Sequence, residues 1–125
     1  MFSTDYPAYR SLKQLMPIRE LSWTCGNQPF PSEHCLYVIG DTTALAAKIG
    51  VSSHPVRRLS SLQNGNCNPL SLRAVYCGAS RAEVMMAELY IKAEFSPYLI
   101  RGEWFRLPAA SMAGWIDLQL IRNAA

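Results

Sequence analysis

The chain has 125 residues and a mass of 14.0 kDa, which predicts one domain with a single modest core. Half of the residues are hydrophobic, which argues against a disordered chain, and no apolar run approaches the ~20 residues that cross a bilayer. The net charge of +3 is compatible with a nucleic-acid partner but too mild to indicate one. The first residues, with Asp5 and Pro7, lack the basic cap and apolar stretch of a signal peptide. We therefore expect a cytoplasmic protein without a membrane partner.

The cysteines stand about ten or more residues apart, at Cys25, Cys35, Cys67 and Cys77. None forms a C-x-x-C pair, and neither His34 nor His54 lies in a zinc-like spacing with them. Thiols in a reducing cytosol are the favoured interpretation, and a disulfide or metal framework is the alternative.

Residues 1–33 read as an N-terminal extension. Tyr9, Leu12, Leu15 and Met16 recur at a spacing that predicts a short helix ending before Pro17. The residues from 25 to 33 are rich in proline, glycine and polar side chains, which predicts a loop that leads into the first strand.

The segment 36–62 predicts a strand, a turn, a second strand and a helix. The run Leu36–Ile39 is followed by the turn residues 40–43 and by the apolar run Leu45–Val51, so a β-hairpin is the simplest interpretation. The hydroxyls at 52 and 53 could cap the helix, in which Pro55 is tolerated in the first turn. Apolar residues at 56, 59 and 62 give the helix one apolar face.

Polar outliers stand on each of these three elements, namely Tyr37, Lys48 and Arg58. The polar loop 63–69 follows, and the alternating run Leu70–Tyr76 predicts a third strand. Together these features make a polar site on the hairpin and its helix conceivable.

The last third of the chain predicts two helices. Ser80 and Glu83 form a capping-box pattern, and Pro97 marks the stop of the helix that follows. Residues 108–122 carry Met112, Trp115, Ile116 and Leu120 in an amphipathic pattern, which predicts a C-terminal helix.

Glu88 is conspicuous because its helical neighbours include Val84, Met85 and Ile91. A carboxylate among apolar neighbours costs free energy unless it is paired or binds a metal. Two interpretations stay open from the residues alone: an ion pair with Lys92 at i,i+4, worth ~0.2–0.5 kcal/mol, or a metal ligand.

The motifs LYVIG, AKIG, RRL, NGNCNPL, AELYIKAEF and GEWF follow one another from about Cys35 to Leu107. Tyr37 and Lys48 are eleven residues apart, and Arg58 follows ten residues later. In order and spacing this pattern resembles the GIY-YIG endonuclease superfamily, most closely its T5orf172 or Mug113-like branch. The resemblance implies an α+β fold, a small three-stranded antiparallel sheet flanked by helices. Residues 34–107 would form this domain, with residues 1–33 and the helix 108–125 as extensions.

The resemblance also implies metal-assisted cleavage of DNA phosphodiesters with one Mg²⁺ or Mn²⁺ ion. Tyr37 would act as the general base or orient the attacking water, and Arg58 would stabilise charge on the phosphoryl oxygens. Glu88 would hold the metal. Lys48 stands where the second tripeptide usually has tyrosine, and its charge could act on a neighbouring tyrosine or on phosphate.

Two further positions depart from the family pattern. Leu62 stands where many members carry histidine or tyrosine, and Lys92 replaces a histidine four residues after the glutamate. These departures leave open a reduced active site.

The predicted catalytic residues are therefore Tyr37, Lys48, Arg58 and Glu88, and the predicted nucleic-acid contacts are Arg57, Gln63, Asn64 and Lys92. The leading hypothesis is a DNA endonuclease whose specificity comes from the extension, from the loop 63–69 or from a partner protein. The alternative is a docking module of the same fold for nucleic acid or protein, with weakened catalysis. A third hypothesis is a structural subunit whose oligomer interface is built from Trp23, Trp115 and the apolar terminal segments. Phage, mobile-element and defence contexts all suit the family.

Overall fold

The computed structural model describes residues 7–18 and 33–123, which contain four α-helices, six strands and one 3₁₀ turn. Their order and bounds are α1 Pro7–Lys13, β1 Met16–Pro17, β2 Cys35–Asp41, β3 Ala46–Ser52, α2 Pro55–Asn64, β4 Leu70–Cys77, α3 Arg81–Glu94, the 3₁₀ turn Ser96–Tyr98, β5 Leu99–Arg101, β6 Trp104–Phe105 and α4 Ala109–Asn123.

The described strands form one antiparallel sheet in the order β1-β4-β2-β3-β6-β5. The predicted mixture of helices and antiparallel sheet is confirmed, but the prediction of three strands is wrong. Strands β2, β3 and β4 are the three that were expected. The additional strands are short: β1 adds two residues beside β4, and β6 and β5 continue the sheet beyond β3. Segments this short lack the alternation by which strands are recognised in a sequence.

The three expected strands form the centre of the sheet, with one irregularity. Val38 lies opposite Ala74, whereas the next residue, Ile39, lies opposite Leu72, so that Arg73 is an extra residue on β4. Such a β-bulge reverses the facing of the side chains beyond it. As a result Leu72 packs on one face of the sheet, whereas Ala74 and Tyr76 pack on the other. The regular alternation predicted for 70–76 therefore stops at Arg73.

One face of the sheet carries the main core. Leu36, Val38 and Ile49 point to this face and pack against buried residues of α1, α3 and α4. The opposite face carries a smaller cluster of Cys35, Tyr37, Ile39, Val75 and Cys77, which is covered by Leu59 and Leu62 of α2. The site described below lies beside this smaller cluster.

The helix α3 begins and ends as its sequence predicts. The Ser80 hydroxyl accepts a hydrogen bond from the backbone N–H of Glu83 at 3.2 Å, so the capping residue is confirmed. The helix ends at Glu94 and passes into the 3₁₀ turn that contains Pro97. The predicted C-terminal helix is also present, and Ala109, Met112 and Ile116 are among its buried residues in the main core.

The described part of the extension packs on the domain. Ala8, Tyr9 and Leu12 of α1 are buried in the main core, whereas Met16 is exposed in β1. Trp115 packs within the chain, stacked on Tyr90 and edge-on to Phe95. Trp23 lies outside the described residues, so the oligomer-interface hypothesis stays a prediction, as do the domain boundaries.

Cys35 and Cys77 are buried thiols that face each other across β2 and β4, with their Sγ atoms 3.7 Å apart. The hydrogen bond to Cys77, together with burial, raises the pKa of Cys35 far above its ordinary value. Cys67 is exposed, and Cys25 lies outside the described residues. Within residues 7–18 and 33–123, no helix is long and apolar enough to cross a bilayer.

Candidate active site

The hairpin of β2 and β3 places Tyr37 over a glycine. Tyr37 lies directly opposite Gly50 in the antiparallel register, and the tyrosine side chain is almost fully buried. A Cβ atom built on Gly50 would lie 2.5 Å from the Tyr37 Cζ, far inside van der Waals contact. The glycine of the AKIG motif therefore leaves the space that the tyrosine ring occupies.

Lys48 lies on the same strand as Gly50 and is buried, with 6% of its side chain exposed. Its Nζ is 6.0 Å from the centre of the Tyr37 ring. It donates a hydrogen bond to Glu103 Oε1 at 2.6 Å. A buried ammonium needs such a partner, because an uncompensated buried charge is strongly destabilising.

Glu103 comes from the connection between β5 and β6. Gly102 has a φ of +57°, a left-handed conformation that favours glycine and turns the chain at this point. The Glu103 carbonyl accepts a hydrogen bond from the backbone N–H of Ile49, and Lys48 lies opposite Trp104 in the sheet. The carboxylate is thereby held beside Lys48.

The helix α2 carries Arg58 in its second turn. The helix begins at Pro55 with His54 as N-cap and no side-chain capping bond, so the predicted serine cap is wrong. Ser52 Oγ instead accepts a hydrogen bond from the His54 N–H just before the helix. Arg58 is exposed, and within the described residues it has no ion pair, which leaves its guanidinium accessible.

Glu88 lies on α3 with 14% of its side chain exposed. Burial raises the pKa of Glu88; the charge of Lys92 opposes this shift and that of Glu103 adds to it. The pKa of Lys92 is also raised: burial lowers it, but the hydrogen bond to Glu103 and the charges of both carboxylates outweigh burial. An isolated ion pair would lower the pKa of its carboxylate. The shifts therefore agree with a lysine that is bonded mainly to Glu103.

Four charged side chains form a continuous series, which we call the ion-pair chain: Lys48, Glu103, Lys92 and Glu88. Lys92 Nζ is 2.7 Å from Glu103 Oε2 and 3.4 Å from Glu88 Oε1. The Glu88–Lys92 ion pair, which was one interpretation of the sequence, is thus present. It is the longest of the three contacts in the ion-pair chain. Burial would raise the pKa of Glu103, but the hydrogen bonds and charges of the two lysines outweigh burial and lower it.

Sequence reasoning missed Glu103. The GEWF motif contributes to the family resemblance, but Glu103 is not among the site residues predicted from the sequence. The available signal was a glutamate that precedes two large aromatic residues and follows a glycine. Nothing local shows that this carboxylate meets Lys48, because the two residues are 55 positions apart in the sequence.

Tyr37, Arg58 and Glu88 line one cavity of about 430 Å³. Glu103 lines the cavity too. Lys48 and Lys92 do not line it, but both are bonded to the Glu103 carboxylate. The remaining polar side chains of the lining that the structure describes are those of Glu33, His34, Ser52, Ser53 and Arg81. Three of the four predicted catalytic residues therefore line one cavity, and the fourth, Lys48, is connected to it through its bond to Glu103.

The predicted nucleic-acid contacts are more scattered. Arg57 and Asn64 are exposed on α2, and neither lines this cavity. Gln63 is engaged in the following loop: its amide nitrogen donates to the carbonyl oxygens of Asn66 and Asn68, and its oxygen accepts from the backbone N–H of Leu70. Lys92 is engaged in the ion-pair chain. Nucleic-acid binding by Arg57, Gln63, Asn64 and Lys92 stays a prediction.

A family model described as the T5orf172 domain matches residues 34–119 of the chain. The chain belongs to the T5orf172 domain family. Comparison with curated proteins and with solved structures finds no significant match. Membership of the T5orf172 family indicates a nuclease-like or nucleic-acid-binding role. The match begins just before β2 and extends into α4, so it includes the cavity-lining residues from His34 to Glu103.

A divalent metal ion, which the family resemblance implies, can be tested against these residues. Groups of three or more histidine, cysteine, aspartate or glutamate side chains that could hold a metal are absent from the described residues. Three carboxylates line the cavity, those of Glu33, Glu88 and Glu103. Glu103 is bonded closely to two lysines, whereas the half-buried Glu88 has only the longer contact with Lys92 at 3.4 Å. Carboxylate oxygen is the donor that Mg²⁺ and Mn²⁺ prefer, and Mg²⁺ commonly takes only one or two carboxylates from the protein. Glu88 therefore fits a single-carboxylate site.

Proposed function

We propose that the chain is a metal-dependent DNA endonuclease that hydrolyses phosphodiester bonds with the help of one divalent ion. The observation that carries this proposal is the position of Tyr37, Arg58 and Glu88 around one cavity. Membership of the T5orf172 family and the resemblance to GIY-YIG endonucleases support the same activity. The cavity offers the three things that the reaction needs: a group to place water, a cation beside the phosphate and a hard oxygen ligand.

Each residue then has a defined task. The Tyr37 oxygen accepts a hydrogen bond from the attacking water and orients it, and as phenolate it would take the proton that the water loses. The water oxygen forms a bond to phosphorus while the bond from phosphorus to the leaving oxygen breaks. Arg58 donates hydrogen bonds to the phosphoryl oxygens, on which negative charge builds up. A divalent ion bound by Glu88 would supply positive charge for the leaving oxygen.

The buried Lys48 adds positive charge beside Tyr37. Its ammonium lies 6.0 Å from the centre of the Tyr37 ring and is bonded to Glu103. At this distance from the ring, the ammonium can stabilise negative charge that develops on the Tyr37 oxygen through its electrostatic field. The accessible Arg58, rather than Lys48, is therefore assigned to the phosphate.

A second candidate function is a docking module for nucleic acid or protein that keeps the fold and has weakened catalysis. One observation favours it: Lys92 lies beside Glu88, at the position where the family pattern has histidine. Within the ion-pair chain two lysines face two glutamates, so the charges balance without an added ion.

Cleavage of supercoiled plasmid DNA separates the two functions. We expect nicking with Mg²⁺ or Mn²⁺ and none with EDTA, and a loss of roughly 10²–10⁴-fold in Tyr37→Phe if the hydroxyl acts in proton transfer. Glu88→Gln should lose metal-dependent nicking. Matched controls are Glu94→Gln on the same helix and Tyr98→Phe, both at exposed positions.

The outcomes divide as follows. Nicking that disappears in both site variants and persists in both controls supports the endonuclease. A wild-type protein that cleaves neither plasmid nor branched DNA overturns it. In that case, unchanged affinity of wild type and Glu88→Gln for DNA in a gel shift would favour the docking module.

A further inference from the structure

We propose that Glu103 is a positioning residue that draws Lys92 toward itself, keeps its contact with Glu88 at 3.4 Å, and so leaves the Glu88 carboxylate available to a divalent cation. This inference rests on the proposed function, because it concerns the metal ligand of the same site. It assigns a role to a residue that sequence reasoning did not place in the site.

The distances in the ion-pair chain show where Lys92 is bonded. Its Nζ is 2.7 Å from Glu103 Oε2, the length of a charge-assisted hydrogen bond, and 3.4 Å from Glu88 Oε1. On an isolated helix, a glutamate pairs favourably with a lysine four residues later. Glu103 therefore competes with Glu88 for Lys92, and it has the shorter contact.

Glu103 can compete for Lys92 because β3 fixes its position through Lys48 and Ile49. Its Oε1 accepts a hydrogen bond from Lys48 at 2.6 Å, and Lys48 is anchored on β3 with 6% of its side chain exposed. Its backbone carbonyl accepts a hydrogen bond from Ile49. Movement of the carboxylate toward the cavity would leave the buried ammonium of Lys48 without this partner, which is strongly unfavourable. The carboxylate is thus fixed at a place that Lys92 can reach.

Loss of the Glu103 charge should transfer Lys92 to Glu88. Lys92 would then be bonded to the Glu88 carboxylate that the cation needs. Glu103 itself does not bind the metal. Groups that orient a metal ligand typically change metal affinity by 10–100-fold when they are removed. We expect Glu103→Gln to weaken Mn²⁺ binding by about tenfold or more.

Another carboxylate of the same cavity provides a matched control. Glu33 lines the cavity, is exposed, and has no ion pair within the described part of the chain. Glu33→Gln removes the same charge without releasing a lysine. It should therefore have only the small, screened effect of one exposed charge on Mn²⁺ affinity.

The experiment is calorimetric titration of the full chain with MnCl₂ in the absence of DNA, so that it does not depend on cleavage. The variants are Glu88→Gln, Glu103→Gln, Glu33→Gln and the double variant Glu103→Gln/Lys92→Met. We expect weaker Mn²⁺ binding in Glu88→Gln and in Glu103→Gln, little change in Glu33→Gln, and recovery in the double variant, in which Lys92 can no longer occupy Glu88.

The possible failures are distinguishable. If Glu88→Gln binds Mn²⁺ as tightly as wild type, or wild type does not bind it, the proposed metal site fails and this inference fails with it. If Glu88→Gln weakens binding but Glu103→Gln matches Glu33→Gln, only the role of Glu103 is overturned. If circular dichroism shows that Glu103→Gln does not fold, Lys92→Met decides alone. An Mn²⁺ affinity of Lys92→Met equal to or above that of wild type supports competition between Lys92 and the cation for Glu88. A lower affinity overturns it.

Discussion

Gly50 offers the sharpest test of how the hairpin positions Tyr37. In Gly50→Ala the new methyl group would lie 2.5 Å from the Tyr37 Cζ, whereas ordinary contacts of this kind are 3.4–4 Å long. The ring must therefore move by roughly 1 Å, and it has little free space, because Tyr37 is 1% exposed. A misplacement of about 1 Å in a catalytic group can cost roughly 100-fold in rate.

The cost in stability should be much smaller than the cost in rate. Overpacking of this kind typically costs about 1–3 kcal/mol, and the lower chain entropy of alanine in the unfolded state returns about 0.4–1 kcal/mol where its backbone fits. We therefore expect a folded Gly50→Ala protein with a net loss of stability of up to about 2.6 kcal/mol and a roughly 100-fold slower rate of plasmid nicking.

Gly114→Ala is the matched control for this variant. Gly114 is exposed on α4, and among the described residues no atom outside the adjacent helix backbone lies within 4 Å of a Cβ built there. Alanine in a helix is favoured over glycine by about 1 kcal/mol, so this variant should be slightly more stable and nick DNA at the wild-type rate. A Gly50→Ala protein that nicks plasmid as fast as wild type would refute the proposed role of the glycine in positioning Tyr37.

Three further predictions concern stability. Gln63→Ala removes the hydrogen bonds of its amide to the loop and should lower the free energy of unfolding in urea by about 1–3 kcal/mol, whereas Asn64→Ala at an exposed position should change it by less than about 0.5 kcal/mol. Equal urea midpoints would contradict the structural role of Gln63. Burial raises the pKa of Glu88, so its ionised form costs stability at neutral pH. Glu88→Gln should raise the Tm at pH 7, and its advantage should shrink as the pH falls through the raised pKa; a lower Tm at pH 7 would mean that the contact with Lys92 outweighs burial. The pKa of Glu103 is lowered by Lys48 and Lys92 against the opposing effect of burial, so its contribution is present above the unfolded-state pKa of about 4.3 and is lost as the pH falls through the lower folded-state pKa. The Tm difference between wild type and Glu103→Gln should therefore narrow only in acid below about pH 4, and a difference independent of pH would argue against this ion pair.

Local patterns were sufficient to predict the longer elements of this protein. The hairpin of β2 and β3, the strand β4 and the helices α2, α3 and α4 all occur where apolar periodicity and turn residues predicted them, and the start of α3 also agrees with its predicted cap. The ordered motifs also led to the T5orf172 family, which the family model confirms over residues 34–119. These features depend on residues close together in the sequence, so they can be read without a structure.

Only the tertiary structure showed how distant segments meet. The extra strands of the sheet, the bulge at Arg73 and the bonding of Lys48 to Glu103 all depend on which segments pair across the sheet. The strands β5 and β6 have only three and two residues, too few to show an alternation in the sequence, and they are identified by their pairing with each other and by the pairing of β6 with β3. The sequence by itself thus determined which side chains could build a site, and Tyr37, Arg58 and Glu88 are the three that line the cavity. The folded sheet decided which carboxylate holds the lysines, because the contact between Lys48 and Glu103 spans 55 residues and has no local signal.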